Sequence, residues 1–254
     1  MDQSIPQPET LLRLLTRAGV GSRRECFRLI VGGHVRINGR IVTAAAEVVD
    51  PHAVKVTVDG KPVATEEPKV YLKVNKPLGI VSTTDDDLGR KTVLDLVPDE
   101  YRRYRLYPVG RLDVDTSGLL LLTNDGDLAN RLTHPRFEVE KEYQAIIDQE
   151  LTEAQIGALE RGVRIAREWT APAHIRRIPD AEPRYSIVVH EGRKHQVRNM
   201  FRAVGREVLR LRRVRIDTLR LGGLRMGKAV ELTPDELRGL LRLLSRPSRR
   251  SASA

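Results

Sequence analysis

The spacing of apolar residues changes along this chain, and the changes divide it. Leu11, Leu12, Leu14 and Leu15 recur at helical spacing and end at Gly19. Ser22 stands where an N-cap belongs, which predicts a second helix over 23–31, stopped by Gly32-Gly33. The period then falls to two. Residues 34–37, a turn at Asn38-Gly39, Ile41-Val42, residues 54–58 and a turn at Asp59-Gly60 predict short strands. Two helices followed by a small sheet make residues 9–65 a small domain. The polar stretch Ala64-Thr-Glu-Glu-Pro-Lys69 predicts a linker.

Beyond it, strands are predicted at 70–75, 119–123, 141–147, 184–190, 207–217 and 229–232. Helices are predicted at 92–97, from Asn124 or Asp125 to about 133, at 152–161, at 194–204 and from Thr233 onward. Strands outnumber helices and do not alternate strictly with them. The expected class is therefore α+β with a mainly antiparallel sheet, not a doubly wound fold. In the strand 207–217, Leu209 and Leu211 share one parity while Val214 and Ile216 share the other. Keeping all four in the core requires a β-bulge near Arg212-Arg213. The domain reading is a flexible arm at 1–8, the small domain at 9–65, a large domain at 66–244 and a disordered basic tail at 245–254.

Composition narrows the partners. The 254 residues carry a formal net charge of +10, and only 4% are aromatic. The pI is near 10.0, which points to a polyanion, nucleic acid first. A basic membrane-surface protein would need an aromatic-anchored amphipathic helix or a lipidation site, and neither is evident. The single cysteine, Cys26, allows no internal disulfide and reads as core. Residues 1–8 have neither the basic nor the apolar region of a secretory leader, so the chain reads as cytoplasmic. The six histidines show no ligand spacing, so no metal is expected.

The most informative run is Gly110-Arg-Leu-Asp-Val-Asp-Thr-Ser-Gly-Leu-Leu-Leu-Leu-Thr-Asn-Asp-Gly126. It delivers a carboxylate on a loop beside an arginine and anchors that loop with a four-leucine strand. A chain can present a nucleophile or base in this way. Three other stretches accompany it: Leu72-Lys-Val-Asn-Lys-Pro-Leu-Gly-Ile-Val-Ser82, Lys141-Glu-Tyr143, and Glu191-Gly-Arg-Lys-His-Gln-Val-Arg-Asn-Met-Phe201. In this order they resemble the pseudouridine synthases of the RsuA/RluB type, RNA uridine isomerases. That branch usually reads Glu-Gly-(Arg/Lys)-Asn-Arg-Gln, whereas this chain has Lys194-His195, and its His-Gln pair is more like the other large branch.

The N-terminal stretch from Leu11 to Cys26, with Val35-Arg-Ile-Asn-Gly39, resembles the S4 RNA-binding domain. Arg23, Arg24 and Arg28 cluster on its second helix with only Glu25 against them, and Arg17 precedes the turn between helices. These four are the expected RNA contacts of the small domain.

The resemblance implies an activity and a set of roles. Isomerising uridine breaks the N1–C1′ bond and rejoins the base through C5. Asp113 would be the catalytic carboxylate, either attacking C1′ or removing a sugar proton to give a glycal. Tyr143 would stack on the base and help move the C5 proton. Arg198 would pair with Asp113, Val197 would pack on the base, and Arg111 would hold the backbone of a flipped-out nucleotide. Arg193, Lys194, His195 and Arg202 would contact RNA. Arg198, Arg202 and Arg206 are spaced to share a helix face, and residues 193–215 hold nine Lys or Arg against Glu207 alone. Asp115, Asp125 and Asp127 read as turn or helix caps. No cofactor is needed for an isomerisation. The expected partner is ribosomal RNA, with the large-subunit 23S RNA preferred over 16S, or a pre-ribosomal particle, met by a monomer. The rival reading is a non-catalytic S4-type rRNA-binding or assembly factor.

Overall fold

A computed structural model describes residues 8–51, 53–64, 67–179 and 182–245. Its contacts divide the chain into two units at Lys69/Val70. The expected arm and tail lie outside the described residues, except for Pro8 and Ser245.

Local signals build the N-terminal unit. Thr10 caps the helix Leu11–Arg17. Ser22 and Glu25 form a reciprocal capping box on Arg23–Val31, an arrangement worth about 1 kcal/mol for the capping side chain. Val35–Ile37 lies between Arg40–Val42 and Val56–Val58, both antiparallel to it, and Val56–Val58 also pairs with Lys61-Pro62. The turns Asn38-Gly39 and Asp59-Gly60 have positive φ at both positions, as the tight hairpin turn that matches strand twist requires. Leu11, Leu14, Leu15, Cys26, Ile30 and Val35 are fully buried in the unit's core.

The second unit is a mixed sheet in the order His174–Ile178, Arg184–Val189, Lys141–Ile147, Val208–Ile216, Ser117–Thr123, Tyr71–Lys76, Ala229–Glu231. All neighbours are antiparallel except Val208–Ile216 and Ser117–Thr123, which run parallel. The four-leucine strand is buried on both faces: Leu119 and Leu121 join one core cluster, Leu120 and Leu122 another. That double cover explains an unbroken apolar run where a half-exposed strand would alternate. The sequence reading overlooked the strand His174–Ile178 and the small hairpin Arg164-Ile165/Glu168-Trp169. Neither carries an apolar alternation long enough to register.

Two corrections matter for the site. Against Lys141–Ile147, the register of Val208–Ile216 shifts twice, skipping Leu209 and Val214. The expected bulge therefore falls one residue beyond Arg213, and a second one turns Leu209 outward at 57% exposure instead of into the core. The result places Val208, Leu211, Arg213 and Ile216 on the buried side. The helix expected at 194–204 spans only Gln196–Ala203, so Arg206 lies beyond it and cannot share a face with Arg198 and Arg202.

Candidate active site

The loop from Gly110 to Thr116 is fixed on both sides of Asp113. Ser82 Oγ donates to Leu112 O at 2.9 Å and accepts from Leu112 N at 3.2 Å. Gly79 N donates to Val114 O, and Thr116 N closes the turn onto Asp113 O. The Leu72–Ser82 motif thus serves as the frame of the aspartate loop. Lys76, in the same motif, is fully buried, and its Nζ donates to Pro77 O and Ile80 O. Burial pulls its pKa down to about 8; Asp115 and Asp113 oppose that fall, and Arg213 adds to it.

The loop then enters the sheet at Gly118, which runs against Arg213. A Cβ at Gly118 would stand 2.2 Å from Arg213 O, so the close approach of the two backbones requires glycine. Arg213 itself is 2% exposed. Its Nε donates to Leu119 O at 2.8 Å, and its Nη1 lies 3.5 Å from Tyr143 Oη. One Nη2 has no partner among the described residues.

Asp113, Tyr143, Arg213 and Lys141 line one cleft of about 350 Å³, the size of a small-ligand site. Arg111, Arg193, Lys194, His195 and Val197 line it too. Tyr143 is half-buried, as a ring with one wet edge must be. Lys141 is drawn down to about 8 by burial, helped by the charge of Arg213. His195 takes the left-handed conformation at φ 51°. Its ring caps nothing on its own helix and instead sets Nδ1 3.1 Å from Asp113 Oδ2. Gln196 closes the loop before the helix, accepting from Arg193 N and donating to Glu191.

Arg198 is not where the sequence reading placed it. Its partners are Val208 and Asp115, not Asp113: Nη1 donates to Val208 O at 2.7 Å, Nη2 to Asp115 O at 2.8 Å, and Nε lies 3.0 Å from the Asp115 carboxylate. The reason is helical geometry. Successive residues point about 100° apart, and Val197 already occupies the cleft face. Asp115, read as a turn cap, is instead the partner of this arginine. Arg202 binds Asn199 and does not line the cleft. Asp125 does cap its helix, and it also accepts a hydrogen bond from Tyr71.

Three cations were overlooked, and two had left a signal. Lys141 shares strand parity with Tyr143. Arg213 shares parity with Leu211, and an arginine on an apolar face merits attention. Lys76 left none. Asp113, Asp115 and His195 bring ligand-type atoms within 4.8 Å of one another. Arg198 pairs with Asp115, and Lys76 lies close enough to feel the charge of both aspartates.

In the N-terminal unit, Arg23, Arg24 and Arg28 are exposed, with no side-chain partner described, whereas Arg17 is held by Glu9 at 2.6 Å. Among the described residues no helix is long and apolar enough to cross a membrane.

Residues 70–203 match the profile of the RNA pseudouridylate synthase family, and residues 9–54 match that of the S4 domain. The chain is 44% identical over 236 residues to the ribosomal large subunit pseudouridine synthase B of Bacillus subtilis, covering 91% of this chain and 95% of that protein. An RNA pseudouridine synthase of Aquifex aeolicus is 39% identical over 91% of this chain and 92% of its own length. A crystal structure of a pseudouridylate synthase superposes with a TM-score of 0.66 at 30% identity, over 91% of this chain and 99% of that one. With an aspartate loop, a tyrosine and a buried arginine meeting in one cleft of an α+β unit, and this similarity across nearly the whole length, the chain belongs to the RNA pseudouridylate synthase family and carries an S4 domain ahead of its catalytic unit.

Proposed function

We propose that this enzyme converts a specific uridine of ribosomal RNA, in the large-subunit 23S molecule, to pseudouridine in the cytoplasm, acting as a monomer on rRNA or a pre-ribosomal particle. The observation that carries the reading is the meeting of Asp113, Tyr143 and Arg213 in one cleft from segments far apart in the chain. The large-subunit assignment follows the Bacillus subtilis relative, whose name states that target.

In this reading Asp113 faces C1′ while the N1–C1′ bond breaks. Its carboxylate either bonds C1′ or takes the neighbouring sugar proton; both routes need an anion on that face. The freed uracil turns and C5 bonds to C1′ as the Asp113–C1′ bond breaks, or as the sugar proton returns; the C5 proton leaves and N1 ends protonated. Nothing is oxidised and no group is lost. Tyr143 stacks on the uracil, and its hydroxyl is placed to relay the C5 proton. Arg213 lies within reach of that hydroxyl and can orient it. His195 and Asp113 separate as the nucleotide enters. Val197 packs on the base, and Arg111, Arg193 and Lys194 meet the phosphates around it. Residues 9–65 hold the RNA through Arg23, Arg24 and Arg28, while Arg17 braces its own unit through Glu9. Arg198 and Asp115 support the aspartate loop from outside the cleft.

The test is tritium release. Transcribed 23S and 16S RNA labelled with tritium at uridine C5 are incubated with the enzyme. Stoichiometric release from 23S alone is expected. Release from 16S alone would move the target to the small subunit. Release from neither, with tight RNA binding, would favour the non-catalytic rRNA-binding reading.

A further inference from the structure

Trp169 is the only tryptophan of the chain, and it is 68% exposed. A side chain of this size loses more by facing water than any other, unless a partner covers it. It sits on the hairpin Arg164-Ile165/Glu168-Trp169, where Arg164 is directly opposite Trp169 and Ile165 opposite Glu168. Opposed residues share a face. Ile165 turns to the core around Leu159 and Val163, so the indole and the exposed Arg164 guanidinium project together on the other side.

This exposure is built, not frayed. Thr170 N donates to Val163 O at 2.9 Å, and Val163 N donates to Thr170 Oγ1 at 3.0 Å. Gly162 passes so close that a Cβ there would stand 2.5 Å from Thr170 O. Arg193 then ties the hairpin to the cleft. Its Nη2 donates to Trp169 O at 3.0 Å, and its Nη1 lies 3.2 Å from Glu168. The same residue lines the cleft that holds Asp113. The hairpin backbone at Trp169 is therefore tied to the cleft by one arginine side chain, and Arg164 and Arg167 stand exposed on the same hairpin. Neither a ring nor a guanidinium of the described residues stacks on it.

We propose that Trp169 is a stacking platform for an unpaired RNA base flanking the uridine in the cleft, with Arg164 holding the adjoining phosphate. The proposal rests on the uridine-isomerase reading. Extracting a nucleotide strips its neighbour of one stacking face, and an exposed indole replaces that face. Stacking accepts any base, so the platform adds affinity rather than sequence identity.

A sole tryptophan makes the test direct. Full-length protein is titrated with a short single-stranded RNA containing uridine. Binding is followed by anisotropy of a fluorescein-labelled copy, and indole emission is followed with the unlabelled RNA. Emission should be quenched along the same isotherm. Trp169→Ala should weaken binding by about tenfold, and Trp169→Phe should recover most of the loss. Binding without any change in emission, or wild-type affinity in Trp169→Ala, overturns the platform, and tritium release by wild type then shows that the isomerase reading stands. Quenching and a weakened Trp169→Ala without tritium release from any rRNA would sustain the platform while the isomerase reading falls.

Discussion

The helix Arg23–Val31 and the stretch 193–215 are both dense in arginine, and the fold uses them in opposite ways. On the helix, Arg23, Arg24 and Arg28 stand exposed on a face whose apolar counterpart, Cys26 and Ile30, is fully buried. In the stretch 193–215, most guanidiniums have work inside the protein. Arg213 bonds a strand carbonyl beneath Tyr143, Arg198 holds Asp115, and Arg215 joins Glu140 and Glu142. Equal charge density thus describes two different objects. One is a set of exposed cations with no side-chain partner among the described residues, and the other is tied largely to carbonyls and carboxylates of its own fold. Net charge counts both alike; the parity of each position against its buried neighbours separates them.

The largest effect should come from Asp113→Asn, which touches neither set. Turnover should fall on the order of a thousandfold or more, the scale of losing a nucleophile or base. RNA affinity and melting temperature should stay near wild type. Tritium release, filter binding and a thermal melt measure the three. A mutant that still turns over briskly would remove Asp113 from the site.

The two frame arginines should then part from each other. Arg213→Met should cost activity by about a hundredfold, the scale of one well-placed donor, and stability by about 1–3 kcal/mol, because it bares Leu119 O. Arg198→Met should leave turnover near wild type. It bares Val208 O and Asp115 O, so urea denaturation should show a loss of about 1–3 kcal/mol. Asp115→Asn should be non-additive with it, as expected for groups in one network. If Arg198→Met kept full stability while turnover collapsed, Arg198 would belong to the chemistry after all.

These differences track what a sequence can carry. The N-terminal helices were legible almost to the residue because Ser22, Glu25 and the paired glycines act locally. Asp113 and Tyr143 were legible through motifs, and the cleft brings them together. The partner of Arg198 was not, because helix rotation and the path of a distant loop jointly decide it. Arg213 was hidden for a related reason. Two bulges reset the parity of its strand, and bulge positions depend on the neighbouring strand rather than on local propensity. Trp169 passed unnoticed on a hairpin too short to show a period.

Replacing Arg23, Arg24 and Arg28 together with Ala tests the exposed set. If each meets one phosphate, the slope of log affinity against log salt should shrink by roughly 2–3 in total. The rate at saturating RNA should stay unchanged, because none of these residues lines the cleft. An unchanged slope would mean that this helix face does not touch RNA, and the contrast between the two arginine sets would lose one side.

The smallest effect separates a cleft cation from a frame cation by pH. Lys141 titrates near 8, held down by burial and by Arg213, so its charge is present at pH 7 and gone by pH 9. RNA binding should lose that charge over the same window, with a salt slope shallower by at most about 0.7–0.9. Stability should move the other way. Between about pH 8 and the normal lysine range, the unfolded chain holds a proton that the folded one has released, so the linkage makes folding more favourable as pH rises. Lys76, also near 8, adds to the stability trend, but it is buried outside the cleft lining and should not affect RNA binding. Lys141→Met should therefore abolish the pH dependence of the salt slope while leaving part of the stability trend. A salt slope that still changed between pH 7 and 9 in the mutant would show that another group titrates against the RNA.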